Sequence, residues 1–141
     1  MTTSTTPPIE VVSKYFGALA EGRVQDALSY LDPDVKWFQP GENRFSGTHV
    51  GPGAVYALIG EMMTVSQGTF AIAPTGPLMV NGDLVVVPVH FTGDRGDVKL
   101  DQAGTDLITV QQGKIVAVHL FSSDGPAEDD FWGPSESVNN G

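Results

Sequence analysis

The chain has 141 residues, 40% of them hydrophobic, and a formal net charge of −10 from seven Lys plus Arg against seventeen Asp plus Glu. That length and apolar content specify one folded domain with a sizeable core. The shortage of basic residues argues against a nucleic-acid or anionic-membrane surface and suits a neutral or cationic small molecule. Cysteine is absent, which removes disulfides, Cys-type zinc sites and thiol nucleophiles. No basic-then-apolar leader opens the sequence and no run reaches transmembrane length, so a cytoplasmic protein is expected.

Met1–Pro8 is Thr- and Pro-rich and reads as a flexible arm. Val12, Tyr15, Phe16 and Leu19 then recur at three- and four-residue steps, which predicts an amphipathic helix stopped at Gly22. Val24, Ala27, Leu28 and Leu31 predict a second, shorter helix ended by Asp32-Pro33-Asp34. A strand over Val35–Gln39 puts Val35, Trp37 and Gln39 on one face. Residues 41–53 read as loop, with Pro52 opening a third helix whose buried stripe is Ala54, Val55, Leu58, Ile59, Met62 and Met63.

From Gly68 the period changes to two, predicting strands near Thr69–Ala73, Leu78–Val80, Leu84–Phe91, Val98–Val110 and Lys114–Ser122, the fourth interrupted near Ala103-Gly104. Asn81-Gly82, Gly93–Gly96 and Gln112-Gly113 are hairpin signals. Helices followed by hairpin-linked strands specify an α+β domain. The segment from Ser123 is acidic and reads as a tail, with Phe131-Trp132 docking either as a lid over a pocket or on a partner subunit.

In this order, Tyr15-Phe16-x-Ala18-Leu19-x-x-Gly22, Asp34-Val35-x-Trp37-x-x-Pro40-Gly41-x-Asn43-x-x-Ser46-Gly47, Gly113-Lys114-Ile115-Val116 and Asp130-Phe131-Trp132-Gly133 resemble the SnoaL-like branch of the NTF2-like, ketosteroid-isomerase-like superfamily. The resemblance spans residues 9–133 and leaves arms at 1–8 and 134–141. It implies a cone in which three N-terminal helices pack on a curved antiparallel or mixed sheet around an apolar pocket. It also implies an isomerase or polyketide-cyclase type of reaction on a steroid- or polyketide-like carbonyl compound, with no cofactor and no metal. The alternative it leaves open is a non-catalytic carrier or sensor.

Residue by residue, the resemblance makes Tyr15 an oxyanion donor and Asp106 its acidic partner, protonated because an apolar site raises its pKa. If Asp106 is ionised instead, it is the base. The family's general base falls at Gln39, which cannot accept a proton near neutrality and would orient the substrate. Trp37, Phe16, Leu58, Val118, Leu120 and Trp132 are expected to line the cavity, with Asn43 either closing its mouth or forming a turn in its loop. Of the histidines, His90 is the spare base, His49 lies near the mouth, and His119 shares the outer sheet face with Phe121 and Leu107. That face is expected to pair in a homodimer.

Overall fold

The computed structural model describes residues 6–134; residues 1–5 of the expected arm and 135–141 of the expected tail lie outside them. Helix α1 (Pro8–Ala20) starts at a proline, which supplies helical φ where no amide donor is needed. It buries Val12, Tyr15 and Phe16 of the predicted stripe together with Val11 and Ala18, and leaves Leu19 partly exposed. Helix α2 (Val24–Leu28) is only five residues long, because the chain turns extended at Leu31. Strand β1 is therefore Leu31–Gln39, longer than predicted, and takes Leu31 from the second helix.

The expected loop 41–53 contains a strand, β2 (Gly47–Val50), paired antiparallel to β1 from Lys36↔Val50 to Gln39↔Gly47. Its four residues are too few for alternation to register, and only its partner reveals it. Helix α3 (Pro52–Val65) follows, burying Val55, Leu58 and Met62. The remaining strands are β3 (Ala71–Pro74), β4 (Met79–Asn81), β5 (Leu84–Asp94), β6 (Lys99–Gln111) and β7 (Lys114–Ser122). They form one seven-stranded sheet in the order β2-β1-β7-β6-β5-β3, with β4 also on β5. All neighbours are antiparallel except β1 and β7, so the sheet is mixed.

Strand β6 runs unbroken through Ala103-Gly104, where an interruption was expected. Glycine is there for space. A Cβ at Gly104 would sit 2.4 Å from the Phe121 carbonyl oxygen and 2.7 Å from the Phe91 ring. Pairing fixes the faces of the sheet. Val87, Asp106 and Leu120 stand opposite one another on one side. Val86, Leu107 and His119 stand on the other, with the Phe38 ring stacked 4.2 Å from His119.

The acidic segment after Ser123 folds as a fourth helix, α4 (Gly125–Trp132), capped by the Asp124 side chain accepting from the Ala127 amide. Phe131 and Trp132 are fully buried and belong to the core, which corrects the reading of them as a lid or partner contact. Phe131 stacks edge-on to Trp132 and its ring closes over Gly93, where a Cβ would meet it at 2.6 Å. Trp132 packs against Phe45 and Phe70. The Pro40-Gly41 loop grips the same helix: Asp129 Oδ1 accepts from the Glu42 amide at 2.9 Å and from Asn43 Nδ2 at 2.8 Å.

Helix α4 is thus integral to the domain. Phe131→Ala is expected to cost about 3–5 kcal/mol in urea unfolding, the usual loss for a buried phenylalanine. A change below about 0.5 kcal/mol, typical of a surface substitution, would contradict that placement.

Candidate active site

Between α1, α3, α4 and the inner face of the sheet lies a cavity of about 560 Å³. That is the size of pocket that takes a drug-sized molecule. Its wall is largely apolar and aromatic, with Phe16, Leu19, Trp37, Ile59, Met62, Phe70, Phe91 and Leu120 contributing. Among the described residues that line it there is no lysine, arginine or histidine; the ionisable groups are Tyr15, Asp106 and Glu128.

The sequence-derived residues divide on this point. Tyr15, Phe16, Trp37, Gln39, Asp106 and Leu120 all border the cavity. Leu58 and Val118 do not; both are core residues. Asn43 is also away from it, buried as an Asx turn, with Oδ1 accepting from the Phe45 amide while Nδ2 holds Asp129. Trp132, the last residue of α4, lies in the core. The histidines stay outside: His49 bonds the Phe45 carbonyl, His90 pairs with Asp101 in solvent, and His119 stacks on Phe38 across the sheet.

Gln39 is oriented by its strand neighbour. Two residues apart on β1, Trp37 and Gln39 share a face, and the indole Nε1 donates to Gln39 Oε1 at 2.9 Å. An indole nitrogen only donates, so the amide oxygen must face it. The Gln39 NH2 group is left as a donor toward the cavity.

Asp106 sits on β6 between Val87 and Leu120, and among the described residues neither of its oxygens accepts a hydrogen bond. Burial in this apolar setting, reinforced by the charge of Glu128, pushes its carboxyl up to about 7. Burial also raises the Tyr15 phenol, and Asp106 raises it further, so Tyr15 keeps its proton throughout the neutral range.

Glu128 was not foreseen, because it lies in the segment read as a tail. Its position in α4, four residues before Trp132, turns it inward, and it is 6% exposed. Ser122 Oγ donates to Oε1, and Trp132 Nε1 donates to Oε2 at 3.1 Å. Burial raises its carboxyl, these two donors lower it, and neighbouring Asp129 raises it again, for a net upward direction. The one sequence signal was Asp124-Gly125-Pro126, a helix start with an acidic cap and an early proline.

A carboxyl raised on folding stabilises the protein in its protonated form. The folded chain holds a proton that the unfolded chain has released above pH 3.8, so stability falls as pH rises from there through about 7. Between those limits the loss is on the order of 4 kcal/mol. Asp106→Asn removes this slope. Urea unfolding from pH 4 to 8 is expected to show the variant gaining on wild type as pH rises; parallel curves would place Asp106 in water.

The SnoaL-like domain model matches residues 12–118 of this chain. A Xanthomonas campestris protein of unknown function with a cystatin-like fold is 44% identical, with a TM-score of 0.86 over 91% of this chain and 99% of that one. TerC, co-crystallised with polyporic acid, is 23% identical, with a TM-score of 0.77 over 89% of this chain and 98% of TerC. An NTF2-like protein from Burkholderia xenovorans is 22% identical, with a TM-score of 0.73 over 94% and 100% of the two chains. With its inner cavity and matched residues, the chain belongs to the SnoaL-like family and has the fold of the NTF2-like protein from Burkholderia xenovorans.

Proposed function

We propose that the protein is a cofactor-independent acid–base enzyme, of the isomerase or polyketide-cyclase type, acting on an apolar carbonyl compound. One observation carries this reading. In an apolar cavity, the Tyr15 phenol, the Gln39 NH2 group and the Asp106 carboxyl have no hydrogen-bond partner among the described residues. Buried polar groups normally find partners within the fold, so three left open toward one space are aimed at a ligand. Two are donors, and Asp106 joins them whenever it holds its proton. A carbonyl oxygen gaining charge is the group such a set serves best, because donors fixed in a dry site need no reorganisation as charge develops. TerC's co-crystallisation with polyporic acid supports a small-molecule role for the fold.

The second reading, a carrier or sensor without turnover, is favoured by Gln39, which stands where the resembled isomerases have their base. An enolate mimic separates the two. 2-Naphthol, followed by quenching of Trp37, is expected to bind more tightly than naphthalene. Tyr15→Phe should remove about 2- to 10-fold of its affinity, the usual worth of a hydrogen bond between neutral groups. Equal binding of both probes to both proteins would favour the carrier. On substrate, loss of either Tyr15 or Asp106 as a donor should lower turnover by about 10²–10³-fold.

The outer sheet face suits a homodimer. Leu84 is 42% and Phe121 54% exposed there, beside half-buried Val86 and Leu107. A two-fold pairing of such faces covers apolar surface on both copies at once. Sedimentation at micromolar concentration is expected to give twice the 14.9 kDa chain mass. A persistent monomer would refute the pairing.

A further inference from the structure

The cavity contains a second carboxyl that the proposed reaction has not yet used. Asp106 on β6 and Glu128 on α4 face the same space, close enough for the charge on Glu128 to act on Asp106. Their surroundings differ. Each oxygen of Glu128 accepts one hydrogen bond, from Ser122 and from Trp132, and both donors favour a carboxylate. Among the described residues Asp106 accepts none, and it lies between Val87 and Leu120, which favours the neutral acid. Two carboxyls in one dry site do not both ionise readily, and the better-solvated one takes the charge.

We propose that Glu128 is the proton acceptor of this cavity and Asp106 its proton donor, the base missing from the first strand being supplied by the C-terminal helix. The assignment rests on the carbonyl reading above. In the reaction it describes, Glu128 removes a proton from the carbon next to a bound carbonyl. The C–H electron pair becomes a C=C bond, and the carbonyl π pair moves onto oxygen. That oxygen is held by Tyr15 and receives its proton or hydrogen bond from Asp106. Return of the proton to the same carbon completes an exchange, and return to a conjugated carbon completes an isomerisation.

The other ionisable groups near the pair are few. Tyr15 faces it from α1 and stays neutral, and Asp129 lies beside Glu128 on α4. Among the described residues of the cavity wall, no cationic side chain offsets the charge. Ionising both carboxyls therefore leaves two negative charges in the site. The couple works only while a single proton is shared, and activity should fall both when Glu128 is protonated and when Asp106 is ionised.

Two measurements on the full chain test this. In a ¹³C carboxyl titration, Glu128 is expected to ionise before Asp106, and Glu128→Gln should lower the Asp106 midpoint by about one pH unit, as expected when a like charge is removed. A Glu128 that ionises after Asp106, or an Asp106 midpoint unmoved in the variant, overturns the assignment. The glutamine keeps an acceptor for Trp132 and a group for Ser122, so α4 should stay docked, checked by thermal unfolding.

The second measurement is deuterium uptake at the α-carbon of 2-tetralone in D2O. Wild type is expected to accelerate it, and Glu128→Gln should lose about 10²-fold or more while binding the ketone unchanged. Uptake that survives in the variant overturns the role of Glu128. If wild type neither binds nor exchanges the ketone while the titration behaves as expected, the division of the proton stands and the carbonyl reading fails.

Discussion

The carboxylate of Glu128, held between Ser122 at the end of β7 and Trp132 at the end of α4, is the interaction on which the rest of this structure depends. It joins the last strand to the last helix from inside. Trp132 in turn packs on Phe45 and Phe70, and Phe131 fills the space over Gly93. A buried carboxylate is costly unless its oxygens are occupied, and here the groups that occupy them also close the wall. The same contact that completes the core brings an ionisable group to the cavity, so stability and chemistry meet in one side chain.

From that contact the polarity of the site follows. The aromatic and aliphatic wall buries Asp106 among apolar groups, and that burial, with the charge of Glu128, is what raises its carboxyl. Trp37 performs the opposite service for Gln39, tying the amide oxygen back so that only its donor end is left over. Two tryptophans thus set the direction of two polar groups, each by using a donor that cannot act as an acceptor. The cavity's character comes from these orienting contacts more than from its few polar atoms.

Much of this was legible in the sequence, for identifiable reasons. The stripe through Val12, Tyr15 and Phe16 and the alternation of the long strands are strong periodic signals, and both led to the observed elements. Tyr15, Trp37, Gln39 and Asp106 were found because motif and parity placed them on inward faces. What failed was short or ambiguous. Strand β2 has four residues, too few for a period. Helix α4 is acidic on its exposed side and surrounded by Gly, Ser and Asn, so composition suggested a tail while Asp124 and Pro126 were marking a helix start. For Asn43 the Pro-Gly-x-Asn loop allows both a rim position and a turn, and the structure has the turn; its distant partner, Asp129, leaves no trace in the local sequence.

The parallel pairing of β1 with β7 has a consequence for how this protein comes to be made. Strand β1 begins at Leu31 and its partner begins at Lys114, so this seam of the sheet joins segments separated by most of the chain. A nascent chain can fold its hairpins, β1 with β2, β5 with β6 and β6 with β7, from nearby residues, but the edge of β1 that takes β7 stays open until β7 is made. Helix α4 arrives later still. On the ribosome, the cavity is therefore assembled last, after Tyr15 has waited for Asp106 on β6 and Trp37 for its cross-strand neighbour Val118 on β7. Non-local closure of this kind is slow, because loop entropy is lost before contacts repay it. The apolar face of α1 is the segment left exposed longest, and it is there that a chaperone, or misassociation between unfinished chains, would first take hold.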